Sequence, residues 1–236
     1  TLEKYMDEVL AGKKNTSQLQ ENWMDSFDVK DDVNGDGKFK DKFLDNENWM
    51  DLFNGDDLTG WHNPYPHGEF RVKKGIIELV ANKKFFLAYD QKFSDFILKA
   101  EIKLPKGKAN SGFLFRSQKK ENGTLFGYQA EVDGSDRKWS GGLYDEGRRG
   151  WIHPKKPIEN IYNKYNWKDV RKNAFKRNEW NRYKIRCVDD HIQIWVNDIK
   201  TTDLKDSTDK NGYIAIQHHG EKGQIYRFRN IQILEL

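Results

Sequence analysis

The sequence predicts an all-β protein whose main part, residues 47–236, is a two-sheet antiparallel sandwich. Three observations carry this. From Trp49 onward, short runs that alternate apolar and polar residues recur, separated by Gly, Asn, Asp and Pro. Only one helical stretch, roughly Asn166–Arg177, interrupts them, so βαβ architecture is excluded. Aromatic residues make up 14% of the chain, enough to build a core although apolar residues are only 36% and charged residues 33%.

The elements follow in chain order. Leu2, Met6, Val9 and Leu10 share one helical face, and Gly12 ends that pattern, so residues 1–14 read as a short amphipathic helix. Residues 15–46 are polar and complete an N-terminal appendage or linker, 1–46, expected to dock through Trp23 and Phe27. Glu21–Asp25 recurs as Glu47–Asp51, but two copies of five residues do not make a repeat architecture. Within the appendage, Asp32, Asn34 and Asp36 with Gly37 match the opening of a calcium loop. Its twelfth position holds Phe43 in place of the Glu ligand, which favours a plain turn over a calcium site. The predicted strands are 75–80, 96–104, 112–117, 127–133, 183–188, 191–196, 212–218 and 226–236. Val188–His191 reads as a tight hairpin, and Val196–Asp198 as the turn opening the next one.

Several functions are excluded early. The 41 Lys and Arg against 37 Asp and Glu leave a net charge of +4, scattered rather than clustered, which is no nucleic-acid footprint. No apolar run approaches the roughly 18 residues of a membrane span. The one cysteine, Cys187, lies in an alternating run and reads as a buried structural thiol. A chain beginning at Thr1 reads as processed, with a leader already removed. The sequence contains no zincin helix motif, no Gly-x-Ser-x-Gly elbow and no phosphate loop.

Alternation points to chemistry on one face. Tyr128, Ala130 and Val132 oppose Gln129, Glu131 and Asp133; Ile214, Ile216 and His218 oppose Ala215, Gln217 and His219; Phe113 and Phe115 oppose Gly112, Leu114 and Arg116. A face of Gln, Glu, His and Arg suits sugar hydroxyls and acid–base work better than a solvated surface does. The segment Trp139–Trp151 is the densest constellation. It reads as a loop: its glycines allow tight turns, its aromatics offer flat surfaces, and Tyr144, Asp145, Arg148 and Trp151 offer stacking and directional hydrogen bonds. No cofactor is expected, although a divalent cation is compatible.

These residues resemble those of the 3-keto-disaccharide hydrolase family. The matching motifs run in the family's order: Leu52–Trp61, Asn110–Arg116, Gly127–Val132, Ser140–Trp151, Ile214–His219 and Phe228–Ile231. The resemblance covers about residues 49–236 and implies a concanavalin-like jelly roll, a periplasmic or extracellular setting, and cleavage of glycosides oxidised at C3. Two departures stand out. The acid falls two positions later than usual, at Glu131, and His218 replaces an aliphatic residue.

The resemblance implies catalytic roles for Glu131, His219 and Arg116. It implies sugar binding by Gln129, Tyr144, Asp145, Arg148, Trp151 and Gln217. The partner expected is a carbohydrate. Two rivals stay open: a two-carboxylate glycosidase using Glu131 with Asp145, and a carbohydrate-binding sandwich without chemistry.

Overall fold

The computed structural model describes residues 48–154 and 169–236. The helix expected at 1–14, the Asp32–Gly37 loop and the docking of Trp23 and Phe27 lie outside the described residues. Fifteen strands are described: β1 Met50–Asp51, β2 Trp61–His62, β3 Glu69–Val72, β4 Ile77–Val80, β5 Phe85–Phe93, β6 Phe96–Lys103, β7 Asn110–Lys119, β8 Leu125–Asp133, β9 Leu143–Glu146, β10 Gly150–His153, β11 Asn181–Val188, β12 His191–Val196, β13 Ile199–Lys205, β14 Gly212–His218 and β15 Ile225–Glu235. One four-residue helix, Asp169–Lys172, is described where a longer one was expected.

The strands form two antiparallel sheets, a jelly-roll sandwich. One sheet runs β13-β12-β11-β6-β15-β4-β3, with β1 also on β15. The other runs β10-β9-β8-β7-β14-β5-β2. The core between them is largely aromatic. Phe113 stands edge-on to Phe228 at 5.8 Å, and Phe115 stacks on Tyr128 at 5.6 Å. Both geometries favour aromatic quadrupoles, so the rings contribute more than their buried area.

The first sheet shows the period-2 rule cleanly. β11 alternates buried Tyr183, Ile185 and Cys187 with partly exposed Lys184 and Arg186. The hairpins follow from residues that tolerate positive φ: Asp189 (48°) between β11 and β12, and Asn197 (47°) with Asp198 (69°) between β12 and β13. The sequence pattern missed β5, whose opening run Phe85–Ala88 is buried on both faces and so does not alternate. It also read Trp139–Trp151 as a loop, whereas β9 and β10 form a hairpin there, with Gly147 and Gly150 at positive φ.

Cys187 is fully buried, and that burial pushes its thiol up to about 12. The native protein should therefore resist a thiol-specific disulfide reagent at pH 8 and react stoichiometrically only in denaturant. Native-state labelling within minutes would contradict this placement.

Candidate active site

The second sheet departs from the usual pattern. In β8 the polar face is buried as deeply as the apolar one: Gln129 is 2%, Glu131 3% and Asp133 2% exposed. Polar groups buried this way need partners, and these partners define a site.

Register brings them together. Gly112 of β7 lies beside Glu131, and Leu114 beside Gln129. Gln217 of β14 projects onto the same face, because Ile214 and Ile216 go to the core. A Cβ on Gly112 would fall 2.4 Å from the Gln129 side-chain carbon, so only glycine lets Gln129 lie flat across β7. Gln129 thereby reaches Gln217, whose Nε2 donates to its Oε1 at 3.1 Å. Gln129 Nε2 donates to Glu131 Oε2 at 2.9 Å. The ionised carboxylate only accepts, so it sets the direction of both amides. The Gln217 side-chain oxygen, Oε1, ends this chain without a donor among the described residues.

Two further groups hold Glu131. Asn110 Nδ2 donates to Oε1 at 2.6 Å, and Arg137 Nη2 donates to it at 3.1 Å. Burial pushes the Glu131 carboxyl up to about 7, against the opposing pull of Asn110, Gln129 and the Arg137 charge. A carboxylate balanced near neutrality can both take and return a proton. Asp133 differs. Burial raises its pKa, but hydrogen bonds from Ser135, Arg137 and Trp139 outweigh that and hold it low.

Arg137 also builds the rim. Its guanidinium lies 4.7 Å from the Trp151 ring centre and 5.0 Å from that of Trp139. Trp139 meets Trp151 edge-on at 4.7 Å, and Tyr144 meets Trp151 at 5.1 Å. Tyr144 pairs with Gln129 across β8 and β9, so it belongs to the same face. The result is an aromatic shelf beside a buried acid.

His219 follows β14. It is half-exposed, and its Nδ1 lies 3.0 Å from Glu221 Oε1. Glu221 raises its pKa, burial opposes this, and the charges of Lys84 and Glu131 both reach it. With Nδ1–H donated to Glu221, Nε2 is left for acid–base work. His218 points the other way. It stacks on Tyr226 at 4.0 Å, and its Nδ1 accepts from the Gly220 amide at 2.9 Å. Burial lowers its pKa, which suits its packing as an aromatic ring against Tyr226 and Phe85.

Three expectations need correction. Arg116 is not beside Glu131. The β7–β8 register shifts between Leu114 and Gln118, and Arg116 takes φ 44°, which breaks the alternation. Its fully buried guanidinium donates to Ser94 O and Asp189 O at 2.7 Å each, and pairs with Asp95 at 2.7 Å. It therefore ties loops of the two sheets together. Asp145 and Arg148 also leave the group. Asp145 pairs with Tyr128, which faces the core, so it lies on the face opposite Glu131. There it accepts from Arg148 at 3.0 Å and from Arg149, which in turn pair with Asp209 and Asp206. The two-carboxylate pairing of Glu131 with Asp145 is thereby excluded.

Sequence reasoning passed over Asn110 and Arg137. Asn110 stood within a quoted motif, and Arg137 sits two residues before Trp139, but neither position alone shows what it touches. Among the described residues, no group of three or more His, Cys, Asp or Glu is arranged to hold a metal ion. No described helix is long and apolar enough to cross a membrane.

Fold and site together define a jelly-roll sandwich with a buried acid beside an aromatic shelf. Residues 48–234 match the 3-keto-alpha-glucoside-1,2-lyase-like domain, and the chain belongs to that family. Among solved structures, a Parabacteroides distasonis protein titled "putative glycosyl hydrolase" aligns with TM-score 0.57 and 18% identity, over 80% of this chain and 94% of that one. Carbohydrate binding module CBM66 from Bacillus subtilis aligns with TM-score 0.56 and 17% identity, over 75% and 96%. At such identities these likenesses show the fold. No curated protein matches the chain.

Proposed function

We propose that this face cleaves 3-keto-glycosides. The observation that carries the reading is Glu131: a buried carboxyl, tuned to about 7, on the same sheet face as sugar-compatible amides and aromatics. A ketone at C3 makes the C2 proton acidic. Glu131 takes that proton, and the C–H electrons pass to the C3 oxygen as an enolate. The enolate then collapses, the C1–O bond breaks, and His219 gives a proton to the leaving oxygen. Water adds to the resulting glycal, for net hydrolysis. Gln129 and Gln217 orient the ring, and Tyr144 and Trp151 stack on it.

The test is a screen of purified protein against 3-keto-glycosides and their unoxidised parents. Aglycone release is expected from the oxidised sugars alone. Because the base must be ionised, kcat/KM should rise with pH through about 7, where Glu131 titrates. Release from unoxidised sugars, or from none, would sink the reading. A second reading rests on the Trp139–Trp151–Tyr144 shelf: a binding module without chemistry, favoured if calorimetry shows sugar binding and no substrate turns over.

A further inference from the structure

We propose that Lys84 is the cation that stabilises the enolate oxygen, drawn into the site from an ion pair that spans the face. This inference rests on the proton-abstraction reading above.

Proton abstraction places negative charge on the C3 oxygen, and such charge needs a donor aimed at it. Arg116, for which the resemblance implied a catalytic role, is buried elsewhere. Arg137 has Nε on Asp133 and Nη2 on Glu131, and lies over two tryptophan rings. Its geometry is already committed.

Lys84 is placed differently. It precedes β5, where Phe85 and Leu87 enter the main core while Phe86 and Ala88 face outward. Alternation puts Lys84 on the outward face, the one that carries Glu131. Its Nζ lies 2.5 Å from Glu146 Oε1. Glu146 shares that face with Tyr144, because Leu143 between β8 and β10 goes to the core. In the sheet, β14, β7 and β8 stand between β5 and β9. Four strand spacings are roughly 19 Å along the sheet, so the two side chains meet only because this face is concave. The ion pair must cross over the strands that bear Gln217, Gly112, Gln129 and Glu131.

The electrostatics agree with this placement. Lys84 and Glu131 both act on His219, and Glu146 and Glu131 both act on Tyr144. The Lys84 side chain is 43% exposed against 14% for Glu146, so a ligand reaches the pair from the Lys84 side, and an ammonium with three N–H donors can offer one to a ligand oxygen. Lys84 moves no proton in this step. It offers an N–H and a positive charge to the oxygen, and the electron pair returns when the C1–O bond breaks.

The experiment compares wild type, Lys84→Met, Lys84→Arg and Glu146→Gln on nitrophenyl 3-keto-glucosides of both anomers. Lys84→Met should lower kcat by about 100- to 1,000-fold with KM changed less than threefold, and Lys84→Arg should restore at least a tenth of the rate. A pair that merely braces the face would make Glu146→Gln as damaging as Lys84→Met, with matching losses in melting temperature. The proposal requires the Lys84→Met loss to be at least tenfold the larger, with melting unchanged. Wild-type kcat in a folded Lys84→Met variant overturns the role of Lys84 alone. A wild-type protein inactive on every oxidised substrate overturns the underlying reading, and Lys84 with it.

Discussion

On the proposed reaction, Glu131→Gln should lower turnover of a 3-keto-glucoside by about 100- to 10,000-fold, the usual weight of a general acid–base group. The fold survives, because the amide chain can reverse. A glutamine at 131 keeps an oxygen for Asn110 and Arg137 and turns an N–H toward Gln129. Gln129 and Gln217 then flip, and each contact is kept with donor and acceptor exchanged. The substitution Glu121→Gln, at an exposed site, should leave the rate within twofold. A wild-type rate in Glu131→Gln would move the chemistry to His219 and leave the face as a binding surface.

The same variant has a stability signature with a definite sign. The Glu131 pKa is about 7 in the fold, above its ordinary 4.5. Below about pH 4.5 the carboxyl is protonated whether the chain is folded or unfolded, and its contribution is fully present. As pH rises through 7, the unfolded state gains by ionising first and that contribution is lost. The cost at pH 8 is on the order of 3 kcal/mol, from about 2.5 pKa units. Glu131→Gln should therefore melt higher relative to wild type at pH 8 than at pH 5. Equal differences at both pH values would mean that the carboxyl is not poised as described.

Arg116→Met should be the most destabilising single change in the sandwich, with little direct effect on chemistry. The guanidinium is fully buried and joins Ser94, Asp95 and Asp189, which belong to the β5–β6 and β11–β12 connections. Removing one partner of such a network typically costs about 3–5 kcal/mol, a fall in Tm on the order of 10 °C for a unit of this size. Below the new transition, kcat should stay within a few-fold of wild type. A stable Arg116→Met protein that has lost turnover would restore the catalytic reading of this residue.

Much of this site was legible in the sequence because alternation is a local rule. Gln129 and Glu131 had to share a face with each other, and Gln217 had to leave the core, whatever the strands paired with. His218 and His219 had to part for the same reason. The rule failed where the backbone left the ideal pleat. At Arg116 the extra residue of the bulge and φ 44° turned a polar side chain away from the face it was assigned to. It also fails at Asp145 and Arg148, because the glycine-rich run that holds them shows no alternation from which to take the hairpin register that sets Asp145 beside Tyr128.

Local alternation, then, was enough for the sandwich and for most of its inward apolar residues, and ordered motifs were enough for the likeness to the family. Those properties depend on neighbours two to ten residues apart. Only the tertiary structure decided that Asn110 and Arg137 hold Glu131, that Gly112 clears the path from Gln129 to Gln217, and that Lys84 meets Glu146 across three intervening strands. Three of these contacts join residues 21, 88 and 62 positions apart, and the fourth, six positions, turns back from the loop after β8 onto the strand, where alternation no longer applies. They arise from sheet order, register and curvature, which depend on how every strand packs at once, and no local period encodes them.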